Sequence, residues 1–429
     1  MGTDRTRGTA MQHTDTALGA GVMARLDELA RASADPDGLT RLYLTPAHAA
    51  AARQVTAWME EAGMSVRRDA AATVIGRYEA AIPGAPTLLL GSHIDTVRNA
   101  GRYDGNLGVV VAIAAVEALH RTAERLPFAI EVLAFGDEEG VRFPVTLTGS
   151  RALAGLVGPG FLEARDADGV SLAQALTEFG CDPAGVSALA RDPAATLGYL
   201  EVHIEQGPVL EDAGLPVGIV TAIAGASRLV VTVEGRAGHA GTVPMTLRRD
   251  ALAASAEMVL AVEAEALGTP DLVATVGQIE VPRGAVNVIP ARTRFSLDLR
   301  SPSDAVRHAA LARLRATWEA IAARRGVTVE AQASYDEPAA ACAPGLMDAL
   351  AEGVARLGLA PLRLPSGAGH DGLALAGLCP IAMLFVRCAG GLSHSPAESV
   401  TQADVDVATR LLVDVLRHLR PDSLARSSL

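Results

Sequence analysis

The sequence predicts an α/β protein: a mainly parallel sheet with helices on both faces, interrupted by a smaller α+β domain. Three observations predict it. Short, continuously apolar runs alternate with helical segments, as strands buried on both faces do. A central block reads strand-helix-strand-strand-helix-strand, the order of a four-stranded open sandwich. The texture changes near Gly225, and the helix-strand pattern resumes after Pro344. The expected division is therefore a discontinuous larger domain, 1–224 and 338–429, with an insertion at 225–337. The 429 residues suffice for two to three domains at roughly 150 residues each.

Each element follows from its pattern. Residues 17–65 are Ala-rich, with apolar positions at helical spacing (Val22, Met23, Leu26, Leu29; then Val55, Trp58, Met59), and read as helical. Thr87 to His93 (TLLLGSH) is a buried strand ending in a loop, followed by an apolar helix at Gly108 to Leu119. Ala129 to Gly136 and Gly198 to Glu205 are two further buried strands. Inside the insertion, strands are expected at Arg228–Gly235, Leu272–Glu280, Thr293–Ser301 and Val327–Ser334, with helices at Arg249–Leu267 and Ser303–Arg325. Pro380 to Cys388 is a last buried strand, and a helix from Thr401 to Leu419 closes the chain. A parallel sheet places ligands beyond the carboxyl ends of its strands, so chemistry is sought there.

Composition narrows the function. Hydrophobic residues make up 49% and charged residues 20%, and the net charge is -12. That excludes a basic nucleic-acid surface and suits small-molecule substrates. All 37 basic residues are Arg. A chain without Lys has no Walker A lysine, no Schiff-base lysine and no carbamylated lysine between metals. Cys181, Cys342, Cys379 and Cys388 are scattered and form no disulfide framework or CxxC pair. The first residues lack an apolar leader, and the apolar stretch Val109 to Val116 is too short to cross a bilayer. The expectation is a cytoplasmic enzyme that binds no nucleic acid and no membrane.

Four polar clusters follow the buried strands. In GSHIDTVRNAGRYDG, His93 and Asp95 alternate, so Asp95 can orient the imidazole without being a ligand itself. Asp104 stands in a turn that opens a helix, and reads either as a ligand or as a cap. In FGDEEGVRF, Asp137, Glu138 and Glu139 are consecutive acids, which read as a solvated run or as carboxylates held together by a dication. His203 in LEVHIEQGPVLE reads as a core histidine or a ligand, and His394 in GLSHSPAESV lies among small residues that leave open space. Together they offer imidazole nitrogen and carboxylate oxygen without thiolate, which suits Zn, Mn, Co or Ni. His93, Asp104, one glutamate of the acid run, His203 and His394 are too many for one closed tetrahedral site, and a neighbouring carboxylate can then shuttle protons. Two divalent ions sharing an Asp account for the count.

The ordered set GSHIDTV, GRYDGNLGV, DEEGVRF, GSRALAG, HIEQGPVLE, GRAGHAGTVPM, NVIP, SLDLRSP, SGAGHD and GLSHSPAE resembles the M20 metallopeptidase superfamily in its amidohydrolase branch. That branch holds N-carbamoyl-L-amino-acid hydrolases, allantoate amidohydrolases and metal-dependent β-ureidopropionases. The resemblance covers nearly the whole chain. It implies a di-metal catalytic domain with an inserted lid and dimerisation domain, and a homodimer formed through that insertion. It implies His93 and His203 on one ion, Glu139 and His394 on the other, Asp104 bridging, and Glu138 as general base. Gln206, His239, Asn287 and Arg300 are implied as substrate contacts, with His239 also catalytic and delivered to the partner's site. Gly367 and Ala368, in the Gly-rich turn Ser366 to Gly369, are expected to offer backbone N–H groups to an anion. His239 also reads as a turn residue, Arg300 as a solvated strand end, and His370 as a shaper of its glycine-rich turn.

The implied reaction is cleavage of a linear ureido C–N bond, with an N-carbamoyl-L-amino acid giving the amino acid, CO2 and ammonia. The absence of Lys closes the carbamylated-lysine and Cys-Glu-Lys routes to related chemistry. An allantoate amidohydrolase, an aminoacylase or peptidase, and a catalytically dead binding protein of the same fold stay open.

Overall fold

A computed structural model describes residues 17–421. The reading of residues 1–16 lies outside them. The chain divides into two compact units. One runs up to Thr221 and takes in Ala341–Leu364 and the chain from His370 onward; the other is Ala222–Ala340 with Pro365–Gly369. The last segment was expected in the larger domain. It joins the second because Ala224 N donates to Ser366 O at 2.9 Å and Arg300 Nη1 donates to Gly367 O at 2.8 Å.

In the first unit the sheet runs, in spatial order, Ser65–Arg68, Val74–Tyr78, Ala129–Phe135, Thr87–His93, Thr196–Ile204, Ile381–Val386 and Val217–Ile223. Thr87–His93 is parallel to Ala129–Phe135 and to Thr196–Ile204, which is parallel to Ile381–Val386. Four carboxyl ends thus lie along one edge, while antiparallel strands flank them. Leu200, Val202 and Ile204 enter the core built with helices Ala17–Leu29, Asn106–Arg121 and Gln402–His418. By alternation Tyr199, Glu201 and His203 face away from that core.

Two local expectations are corrected. Within residues 17–65, read as helical, the helices are Ala17–Leu29 and Pro46–Glu61, with non-helical chain between them and Ser65 opening a strand. The segment Asp35-Pro36-Asp37-Gly38 between them cannot propagate a helix. The second helix starts from Thr45, whose side chain accepts from His48 N, with Pro46 at the first turn. The helix after Asp104 begins at Asn106, two residues before the expected start, with Gly105 at its N-cap and no side-chain cap. Asp104 is therefore not a helix cap.

The second unit has the strands Gly225–Glu234, Arg292–Ser301 and Thr328–Glu337, all antiparallel, with helices Ala251–Gly268 and Asp304–Arg325. Side chains of Asp250 and Ser303 cap the two helices. The expected strand Leu272–Glu280 is two short pieces, Val273–Thr275 and Ile279–Glu280, both paired with Arg292–Ser301. Their registers, Asp298↔Thr275 and Phe295↔Ile279, differ by one residue. One extra residue at an edge is a β-bulge, and Gly277 lies within it. A two-stranded ribbon, Gly238–His239 with Val288–Ile289, was not foreseen. Among the described residues no helix is long and apolar enough to cross a membrane.

Candidate metal centre

The centre lies in the first unit, beyond the carboxyl ends of the parallel strands. His93 is the last residue of its strand. Its Nδ1 lies 3.0 Å from the Asp95 carbonyl. His203 is the penultimate residue of its strand, and its Nδ1 lies 2.9 Å from the Ile204 carbonyl. A carbonyl only accepts, so each ring holds its proton on Nδ1 and presents the Nε2 lone pair. Gly105 permits the approach: its φ is +67°, and a Cβ there would lie 2.4 Å from the His93 ring.

Asp104 receives three histidines. Its Oδ1 lies 3.6 Å from His93 Nε2 and 3.2 Å from His203 Nε2. Its Oδ2 lies 3.3 Å from Nε2 of His394, a half-exposed residue. The two carboxylate oxygens thus face two different sides. Glu139 Oε2 is 3.6 Å from His394 Nε2, and Glu138 Oε2 is 3.8 Å from His93 Nε2.

Asp95 sets up the two glutamates. Its carboxylate accepts from Glu138 N at 3.1 Å and Glu139 N at 3.2 Å, one oxygen each. Its Oδ1 also lies 3.5 Å from His93 Nδ1. Asp137 makes the turn possible with φ +65°, a left-handed conformation Asp tolerates. Its buried carboxylate accepts from Thr148 Oγ1. The acid run is therefore not solvated: Asp137 is fully buried, and Glu138 and Glu139 are mostly so.

The donors fit divalent ions. His93, Asp104 and His203 form one close group of ligand atoms; Asp104, Glu139 and His394 form a second; and Glu138 joins His93 and Glu139 in a third. Nitrogen lone pairs face carboxylate oxygens at 3.2–3.8 Å. Acceptors facing acceptors need a cation between them. Two ligands about 2.1 Å from one tetrahedral ion are roughly 3.4 Å apart, which agrees. Glu139 Oε1 is buried without a hydrogen-bond partner. Protons feel the same field. Burial opposes charge on His93 and His203, yet hydrogen bonds to Asp104 raise both, and those histidines hold buried Asp104 well below the usual carboxylate range. Hydrogen bonding to Asp104 raises His394 to about 8. Burial lifts Glu139 to about 7 and raises Glu138 well above its ordinary value.

The other predicted residues fall in two places. Gln206 is at the centre: its Nε2 donates to Asp104 Oδ2 at 2.8 Å and to Ser393 Oγ at 3.1 Å, and its Oε1 is buried without a partner. His239, Asn287, Arg300, Gly367 and Ala368 belong to the second unit. There the ribbon joins His239 to Asn287: His239 pairs with Val288, and Ala240 N donates to Asn287 O at 2.9 Å. Arg300 grips Asp298 through Nε at 2.7 Å and Nη2 at 3.0 Å, and Gly367 O through Nη1. Of its five N–H groups, one on each Nη remains. The anion nest is corrected at Ala368, whose N–H is already donated to Ser366 Oγ at 3.2 Å, while Gly367 supplies its carbonyl.

Five residues at the centre were missed: Glu201, Ser150, Asp371, Ser393 and Glu398. Glu201, His203 and His370 form a further buried group. Burial and His203 push His370 well below its ordinary value. Ser150 Oγ donates to Asp371 at 2.6 Å, and burial lifts that carboxyl to about 8. Ser393 and Glu398 surround Asp104. Glu201 stands two residues before His203 on the same strand face, and that spacing was the available signal.

Residues 89–418 match the model of peptidase family M20/M25/M40. The chain is 44% identical over 389 residues to an N-carbamoyl-L-amino acid amidohydrolase of Geobacillus stearothermophilus, covering 90% of this chain and 95% of that one. It is 40% identical over 449 residues to an allantoate deiminase of Arabidopsis thaliana, covering 97% and 85%. A crystal structure of a hydantoinase/carbamoylase-family amidase from Burkholderia multivorans superposes with a TM-score of 0.87 at 32% identity, covering 93% and 97%. The chain belongs to the peptidase family M20/M25/M40.

Proposed function

We propose that the protein hydrolyses a linear ureido C–N bond, and that its substrate is an N-carbamoyl-L-amino acid. One water is consumed, and L-amino acid, CO2 and ammonia are released. The observation that carries the proposal is Asp104, one carboxylate shared by two groups of donors, with Glu138 beside them. The relative from Geobacillus stearothermophilus supports the ureido substrate. The Arabidopsis relative favours allantoate as a second reading.

His93 and His203 would hold one divalent ion, Glu139 and His394 another, with Asp104 between; Zn, Mn, Co and Ni all suit these donors. Such ions polarise a carbonyl and lower the pKa of water. Glu138 takes the proton of the attacking water and returns it to the leaving nitrogen. Its raised affinity for protons, caused by burial, suits the second step. Asp95 fixes the backbone of Glu138 and Glu139 through their amides. Arg300 meets the substrate carboxylate with its two unused N–H groups. Gln206 and Asn287 contact the substrate, and His239 donates to the ureido oxygen as charge develops there.

The insertion would form a homodimer. Leu260, Leu267, Val273 and Ile279 on helix Ala251–Gly268 and the neighbouring strand pieces are exposed, and exposed apolar groups of this kind mark contact surfaces. Four free cysteines support a reducing, cytoplasmic setting. The test is ammonia release from N-carbamoyl-methionine, allantoate and N-acetyl-methionine (the last read as free methionine) by chelator-treated protein reloaded with Zn, Mn, Co or Ni. Ureido turnover that depends on added metal supports the proposal. Turnover of the acetyl compound alone overturns it.

A further inference from the structure

We propose that Glu398 and Ser393 are positioning residues that lock Asp104 to the His394 loop, and that ion binding by Asp104, Glu139 and His394 depends on them. The proposal rests on the two-ion reading above. Glu398 is 4% exposed. Its Oε1 accepts from Tyr103 N at 2.8 Å and Asp104 N at 3.1 Å. Its Oε2 lies 3.1 Å from Ser393 Oγ, which lies 2.6 Å from Asp104 Oδ2. The hydroxyl has one proton, and Asp104 is the nearer acceptor. Glu398 thus holds the backbone beneath Asp104, and the serine beside His394 holds its side chain.

The turn is shaped to admit this carboxylate. A Cβ on Gly101 would lie 2.3 Å from the Glu398 carboxyl carbon. The arrangement is also directional. Ser393 and Gln206 both donate to Oδ2, the oxygen that faces His394. Oδ1 faces His93 and His203, which are buried and anchored by their own Nδ1 contacts. His394 is 52% exposed at its side chain and has a positive φ of 53°. Its place depends on the loop, and Glu398 ties that loop down. Loss of the lock should therefore loosen one ion and spare the other.

The test titrates chelator-stripped, full-length protein with Zn2+ against a chromophoric chelator, and counts ions retained after gel filtration. Wild type should bind two ions. Ser393→Ala and Glu398→Gln should weaken one of them by roughly 10–100-fold, the usual effect of removing a partner of a metal ligand, and leave the other unchanged. Ser393→Thr keeps the hydroxyl and should restore binding. Gly101→Ala displaces Glu398 without altering it and should behave like Glu398→Gln. Should Glu398→Gln fail to fold, the Ala and Thr variants of Ser393 decide. Equal weakening of both ions, no weakening, or a Thr variant as weak as the Ala variant overturns the proposal. A wild type that binds no Zn2+ instead overturns the two-ion reading itself.

Discussion

Glu138 and Glu139 are neighbours in sequence and in one group of donors, yet they face different histidines: Glu138 Oε2 lies 3.8 Å from His93 Nε2, and Glu139 Oε2 lies 3.6 Å from His394 Nε2. Their consecutive amides are gripped by the two oxygens of Asp95, so the backbone between them is pinned.

Those different neighbours predict different losses. Glu138→Gln keeps the shape and removes the proton acceptor. It should retain metal and lose turnover by at least the ~10²–10⁴ of general-base catalysis. Glu139→Gln removes a charged donor and should lower metal content. Metal analysis and steady-state kinetics on both variants check this; equal metal loss in the two refutes it.

Arg300 is prearranged by Asp298, which Arg228 also holds at 2.9 Å. Arg300→Ala therefore leaves Asp298 a partner. The variant should fold and lose on the order of 1.5–3 kcal/mol in kcat/KM toward a carboxylate substrate, the scale of a charge-assisted hydrogen bond. Toward the corresponding uncharged amide the loss should be much smaller. Equal losses on both would rule out carboxylate recognition.

A homodimer in which His239 serves its partner's site predicts complementation. Glu138→Gln and His239→Ala are each expected to be inactive. Mixed after reversible dissociation, they should regain activity, because the heterodimer has one site with both residues native. If His239 serves its own site, no site in the mixture is complete. Mass measurement establishes that the heterodimer forms.

His48 predicts an acid-sensitive fold. It is fully buried, stacked on Phe179, and accepts from Leu44 N through Nδ1. Burial pushes its imidazole down to about 4, with Asp95 opposing. Between pH 4 and 6.5 the unfolded chain binds a proton that the folded chain does not, so stability falls as pH falls through that window. The whole window is worth about 3 kcal/mol. His48→Gln keeps an acceptor for Leu44 and should flatten the curve. Denaturant unfolding at several pH values measures it, and parallel curves for the two proteins would falsify the assignment.

The strands were readable because their pattern is local. TLLLGSH and AIEVLAF carry consecutive apolar residues, Leu88 to Leu90 and Val132 to Phe135, and only a strand covered on both faces tolerates that. The pieces Val273–Thr275 and Ile279–Glu280 read as one strand because a bulge interrupts pairing while both flanks stay rich in β-branched residues. The break between the first two helices was written in Asp35-Pro36-Asp37-Gly38 but was masked by the Ala-rich flanks. Ser393 and Glu398 were in plain view within GLSHSPAESV, but nothing in that string says that Tyr103 and Asp104 lie against them.

By itself, then, the sequence determined the layered α/β architecture with an insertion, and it put imidazoles and carboxylates after the ends of buried strands. Periods of 2 and 3.6 residues and the chemistry of single side chains suffice for that. Only the tertiary structure decided which oxygen of Asp104 faces which histidine, that Asp104 is not a helix cap, and that Ala368 has spent its N–H on Ser366. Those outcomes depend on contacts such as Tyr103 with Glu398, 295 residues apart. No local pattern specifies contacts of that span; the packing of the parallel strands does.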